Sequence, residues 1–281
     1  MGLSDIFEYI FQINHLVFLL IGTLASFLSG LLCVGGAGFL LPLLIYGPPL
    51  LGGEKVDMSE ASALCIGLIW ISTLAAALSM GNILGHKSVR PLIITLAIPA
   101  AAFGFLGSIL SASIHELVLA IVFPVLLLAS SSMMLLKPKK DEFDINGDQE
   151  LEYSLVGCFF TASFVGFFAG MSGAGGGFLL TPLSIYLLQI PTRVALACGL
   201  PVVFASSTTT LAGKIISDQM VWDKLLFLVI PSIPMAKLGA ACHKKTKPKI
   251  LRTFAAFLFI TVALGMITDI VYHHVEIHFY I

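Results

Sequence analysis

The chain has 281 residues, 58% of them hydrophobic and 11% charged, with a formal net charge of −1. A mean hydropathy of +1.00 excludes an ordinary water-soluble domain, where charged residues approach a quarter of the total. The near-neutral charge, without a basic patch or stripe, excludes nucleic acid as a partner.

Long charge-free stretches reach or exceed the roughly 20 residues that cross a bilayer as helix, so the expected fold class is an all-α polytopic membrane protein with the lipid bilayer as its medium. The ten-residue alternating segments of a membrane β-barrel are absent. The N-terminal segment carries Asp5 and Glu8 and no basic residue before Lys55. It lacks the positive region of a cleaved signal peptide and is expected to be retained at the membrane interface.

The first long element is an apolar arm over residues 14–52, which as one helix would be about 58 Å long, nearly twice the hydrocarbon core. It must fold back, and Gly35, Gly36 and Gly38 supply the hinge because glycine takes turn conformations that other residues resist. Spans follow at about 60–80, 91–111 and 117–136, completing a first repeat over 1–137. Residues 138–152 form a mixed-charge linker. The second repeat, 153–281, begins with an apolar arm over 153–191 broken at Gly173, Gly175, Gly176 and Gly177, then spans at about 193–212, 223–242 and 250–270.

The repeats are visible residue by residue. Ser26 to Tyr46 aligns with Gly166 to Tyr186 at an offset of 140, with nine of 21 positions identical, among them Gly30/Gly170, Gly35/Gly175, Gly36/Gly176, Pro42/Pro182 and Tyr46/Tyr186. After a loop eight residues longer in the first half, the match resumes at an offset of 132 through Gly67/Gly199, Gly81/Gly213, Val89/Val221, Pro99/Pro231, Gly107/Gly239 and Leu126/Leu258. A hairpin plus three spans gives an odd number of crossings, so the second repeat should be inverted relative to the first. The basic residues agree: twelve fall on one predicted side and only Lys55, Lys214 and Lys224 on the other. Basic residues are retained in the cytoplasm, which puts the linker there and both termini outside it.

Non-helical backbone at membrane depth is tolerated only where protein or a water-filled cavity surrounds it. Each glycine break precedes a short helix carrying a proline, Pro42 or Pro182, whose first turn presents free N–H groups and the positive end of the helix dipole. Two such ends brought together form an anion-binding centre, the candidate substrate site. Hydroxyls in the following spans, Ser72 and Thr73 in one half and Ser206, Ser207 and Thr208 in the other, offer uncharged donors to a small anion. The alternative role for the glycines is to let helices approach closely, and for the hydroxyls to bond their own helix.

The motif Gly173 to Pro182, the two repeated halves and the pattern Gly239, Lys244, Lys245, Leu251, Arg252 before the last span resemble the TauE/SafE sulfite exporter family of bacterial membrane permeases. The resemblance covers essentially the whole chain. It implies a plasma-membrane carrier for sulfite, a sulfonate or another small organosulfur or carboxylate anion, with no cofactor. Ala37 stands where the second motif has Gly177, and residues 47–59 form a longer loop, so the substrate is less defined than the fold.

A coupling proton would require a titratable group in the membrane, yet Asp57, Glu60, Asp218, Asp223 and Asp269 all fall at predicted span ends. Lys214 and Lys237 adjoin spans and are expected to snorkel to the interface. A homo-oligomer is compatible with the sequence. An anion channel is a rival reading. Another is an intramembrane serine protease built on Ser172, but a general-base histidine would have to reach it, and the seven histidines fall in loops or at span ends. The five single cysteines, Cys33, Cys65, Cys158, Cys198 and Cys242, read as small buried hydrophobes.

Overall fold

In the computed structural model the described residues are 13–32, 36–79, 89–136 and 153–279, and all their regular structure is helical. The helices are α1 (Ile13–Leu32), α2 (Ala37–Leu50), α3 (Met58–Ser79), α4 (Val89–Ser111), α5 (Glu116–Leu135), α6 (Leu155–Ser172), α7 (Gly177–Tyr186), α8 (Thr192–Ile216), α9 (Trp222–Val229), α10 (Ser232–Lys245) and α11 (Pro248–Phe279). Seven of them, α1, α3, α4, α5, α6, α8 and α11, are long and apolar enough to cross a bilayer. The α9–α10 pair, bent by 42°, makes up to eight. The chain is a multi-pass membrane protein.

The bend in the α9–α10 pair replaces the single span expected over 223–242. Pro231 and Pro234 sit three residues apart, and each lacks the N–H that would continue the helix ladder. The first half has Pro99 at the matching position but Ala102 where Pro234 stands, and α4 runs unbroken. Outward faces are apolar: Leu16, Leu20 and Leu24 of α1, Phe159, Phe160 and Phe164 of α6, and Phe254, Phe257 and Leu264 of α11 are all exposed. Their period of three to four residues marks one helix face, the one turned to lipid chains.

The halves pack on each other reciprocally. α1 lies along α9 and α10, and its sequence counterpart α6 lies along α4. Glycine makes both seams possible. A Cβ on Gly30 would come 2.2 Å from the Ala236 carbonyl oxygen, and one on Gly170 2.1 Å from that of Gly104. From the other side, a Cβ on Gly107 would come 2.2 Å from the Phe167 oxygen, and one on Gly239 2.1 Å from the Phe27 oxygen. These duplicated glycines are the small residues that let membrane helices meet backbone to backbone.

Two lysines near helix ends are paired. Lys224, at the start of α9, pairs with Glu60 of α3 at 2.8 Å and Glu54 at 3.8 Å. Lys214 does not snorkel: it is 1% exposed, and its ammonium donates to Ser111 at 3.0 Å and Gln219 at 2.7 Å. Cys65, Cys158 and Cys198 are buried free thiols, Cys242 is half-buried, and Cys33 lies outside the described residues.

Candidate functional site

The two glycine breaks take the same local shape. Gly36 caps the start of α2 with φ 72° and ψ −9°, and Gly176 caps α7 with φ 72° and ψ −6°. Left-handed backbone of this kind costs an L-residue roughly 1–2 kcal/mol, which is why glycine recurs there. The Gly36 carbonyl accepts from the N–H groups of Phe39 and Leu40, and that of Gly176 from Leu179 and Leu180. No side chain caps either helix, so among the described residues the N–H groups of Ala37 and Gly38, and of Gly177 and Phe178, are left for another acceptor. Gly35 lies outside the described residues.

The remaining candidate glycines are closely packed, and Gly173 and Gly175 are left-handed as well. A Cβ on Gly38 would fall 2.5 Å from the Phe259 ring, one on Gly173 2.3 Å from the Ser62 carbonyl oxygen, and one on Gly175 2.8 Å from Ile69. Gly177 opens α7 and is fully covered. The second turn thus lies against Ile69 and Val203, well inside α3 and α8, while Gly38 meets the ring that also contacts Phe178 at 6.4 Å. Phe259 therefore lies between the beginnings of the two short helices.

The prolines explain a second feature. Pro182 has no N–H to return to the carbonyl four residues back, that of Phe178. The Ser130 hydroxyl of α5 donates to that same Phe178 oxygen. Pro42 frees the Gly38 carbonyl in the same way, and the counterpart of Ser130 there is Val262, which has no donor.

The predicted hydroxyls are largely committed to their own helices. Ser72 and Thr73 both donate to the Ile69 carbonyl, at 3.3 and 2.6 Å. Ser206 donates to Val203 at 3.1 Å, and Ser207 and Thr208 to Phe204 at 2.9 and 2.7 Å. Two of them still touch a glycine turn. Ser206 lies 3.4 Å from the Gly175 carbonyl oxygen, and Ser72 lies 3.3 Å from Ser29, the residue packed against Gly36. Thr208 and Trp70 are joined across α3 and α8, with the indole N–H donating at 2.9 Å.

Sequence reasoning missed Ser29, Trp70, Ser130 and Phe259. Ser29 left a trace in the alignment: it pairs with Ala169, and Ala169 is the residue packed against Gly176. The others act from helices distant in sequence and left none.

Two clefts flank the short helices on their outer sides. One, of about 780 Å³, is lined by Phe39, Pro42 and Tyr46 of α2 with α1 and α11, and the other, of about 830 Å³, runs along α6 and α7. Neither is lined by Gly36 or Gly176. Within the first, the Tyr46 hydroxyl donates to Asp269 at 3.0 Å.

Ser172 and the described histidines His15, His115 and His243 all have other partners. Its hydroxyl donates to the Phe168 carbonyl at 2.8 Å, while His15 stacks on Phe227, His115 caps the start of α5, and His243 meets the Leu31 carbonyl. Among the described residues no group of three or more His, Cys, Asp or Glu could hold a metal ion.

The family model described as sulfite exporter TauE/SafE matches residues 18–266. A probable membrane transporter protein of Haemophilus influenzae is 25% identical over 252 residues, covering 89% of this chain and 92% of the relative. A second from the same organism is 25% identical and covers 89% and 97%. The probable membrane transporter protein YunE of Bacillus subtilis is 32% identical over 105 residues, and that match covers only 38% of its length.

Proposed function

The chain belongs to the sulfite exporter TauE/SafE family of membrane transporters and is not an enzyme, and we propose that it is a secondary carrier for a small anion such as sulfite, a sulfonate or a carboxylate. The observation that carries the proposal is the pair of uncapped helix starts at Gly36 and Gly176, with matching left-handed dihedrals, on duplicated segments. Each offers unpaired N–H groups and a positive dipole end to an anion without placing a full charge in the membrane.

The two halves are inverted relative to one another. Supporting this, Glu60 at the start of α3 pairs with Lys224, which follows closely on the end of α8, so these duplicated helices run in opposite directions. Inverted halves bring the two glycine turns toward each other from opposite faces, and rocking one half against the other exposes them in alternation. The close cover over Gly173, Gly175 and Gly176 fits a closed stage of that cycle. In the cell the protein sits in a bacterial inner membrane with both termini outside the cytoplasm, as the distribution of basic residues favours.

The test is flux of labelled sulfite in proteoliposomes containing the wild-type protein or Gly176→Val. A carrier built on these turns shows saturable flux that the substitution abolishes while the variant still inserts. Undiminished flux in Gly176→Val would remove the glycine site, and conductance without saturation would make the protein a channel.

A further inference from the structure

Arg252 is a buried cation that the proposed mechanism does not use. It is 8% exposed, and among the described residues its Nε has no hydrogen-bond partner. Both ion pairs described belong to Lys224, and the other deeply buried cation, Lys214, is satisfied by Ser111 and Gln219. A guanidinium stays charged in any protein environment, and a buried N–H of that cation without an acceptor is unfavourable. Such a group calls for an anion.

Its position relates it to the glycine turns. Arg252 lies in the second turn of α11, on the buried face that continues through Ala255, Ala256, Phe259 and Ala263. Phe259 is seven residues further on, two helical turns or about 10.5 Å along the same face. Its ring packs on Gly38 in the first turn of α2 and contacts Phe178 in the first turn of α7. The start of α11 follows the end of α10, where His243 meets the Leu31 carbonyl at 2.8 Å, one residue before α1 ends. Arg252 is therefore at the end of the bundle where α1 gives way to the Gly36 turn. Its counterpart in the first half is Ala120, so one side of the duplicated site carries a charge and the other does not.

We infer that Arg252 is a ligand for the oxyanion of the substrate on its way to the Gly36 turn, an inference that rests on the anion-carrier reading above. The planar guanidinium donates two parallel N–H bonds to a sulfite, sulfonate or carboxylate group, a match that a lysine ammonium does not reproduce. Entry or exit on the Arg252 side is thereby selective for oxyanions, while the opposite side relies on backbone N–H groups alone.

The experiment is equilibrium binding, measured by melting-temperature shift of the purified full-length protein with sulfite, methanesulfonate and acetate. Wild type is compared with Arg252→Met, Arg252→Lys and Gly176→Val. The inference expects Arg252→Met to raise the ligand-free melting temperature, because a buried donor without an acceptor is gone, and to weaken anion binding by about ten- to a hundredfold. Arg252→Lys should fall between, and it carries the test if the methionine variant does not fold. Unchanged affinity in both Arg252 variants, with binding lost in Gly176→Val, would overturn the role of Arg252 and leave the glycine site standing. If none of the three anions stabilises the wild type, both ideas fall.

Discussion

The two glycine turns share a backbone and differ in what surrounds it. Gly36 packs against Ser29, whose hydroxyl lies 3.3 Å from that of Ser72, whereas Gly176 packs against Ala169 and Val165. On the second side Ser130 takes up the carbonyl that Pro182 frees, and on the first the aligned residue, Val262, has no donor to offer. At the far ends of the short helices, Tyr46 donates to the Asp269 carboxylate and Tyr186 to the Leu136 backbone carbonyl. The matched positions of the two segments share the residues that shape the chain and differ in the side chains that set polarity. The helix packed beside α2, α11, carries both Arg252 and Asp269.

The largest effect should come from substitutions that the shared backbone cannot accept. Gly36→Val and Gly176→Val both force a side chain into left-handed backbone and into atoms less than 3 Å away. Anion flux should drop to background in each, measured in proteoliposomes at matched insertion. If only one abolishes flux, the turns are not equivalent parts of one site.

Next in size are the seams between halves. Gly30→Leu and Gly170→Leu each drive a side chain into a backbone carbonyl of the other half, and overpacking costs about 1–3 kcal/mol or more. The two variants should lose similar amounts of thermal stability, because their contacts are counterparts. A large difference would show that the seams are unequal despite their matching geometry.

The tyrosines should separate the halves. Tyr46→Phe removes a bond to a carboxylate, about 1.5–3 kcal/mol, and Tyr186→Phe removes one to a neutral carbonyl, about 0.5–1.5 kcal/mol. Melting temperatures should fall further for Tyr46→Phe, and equal shifts would contradict the asymmetry. The smallest change is Ser29→Ala, which makes the first turn resemble the second at that position and should cost about 1 kcal/mol or less in stability. It should weaken anion affinity less than Gly36→Val does.

Much of this architecture was legible because glycine and proline act through the backbone, and backbone requirements survive duplication. Gly36/Gly176 and Pro42/Pro182 announced breaks and short helices at the right places, and composition alone called for an all-helical membrane protein. The bend between α9 and α10 was present in the spacing of Pro231 and Pro234, but the match of Pro231 to Pro99 concealed it. The hydroxyl cluster does not reveal its own bonding in the sequence: a Ser or Thr in a helix has a ready acceptor in its own carbonyl ladder, and Ser207 and Thr208 use it. Lys214 looked interfacial because it is near a helix end, and only the packed chain brings Ser111 and Gln219 to it. Phe259 and Ser130 reach the turns from other helices, and their roles depend on tertiary packing that no local pattern records.

The central claim is that the beginnings of α2 and α7 hold the transported anion. A structure of the protein in lipid with sulfite bound tests it most directly. Density for the anion is expected within hydrogen-bonding distance of the first-turn N–H groups of α2, of α7 or of both. Sulfite seated instead in the cleft lined by Pro42 and Tyr46, with both helix starts still covered, would contradict it.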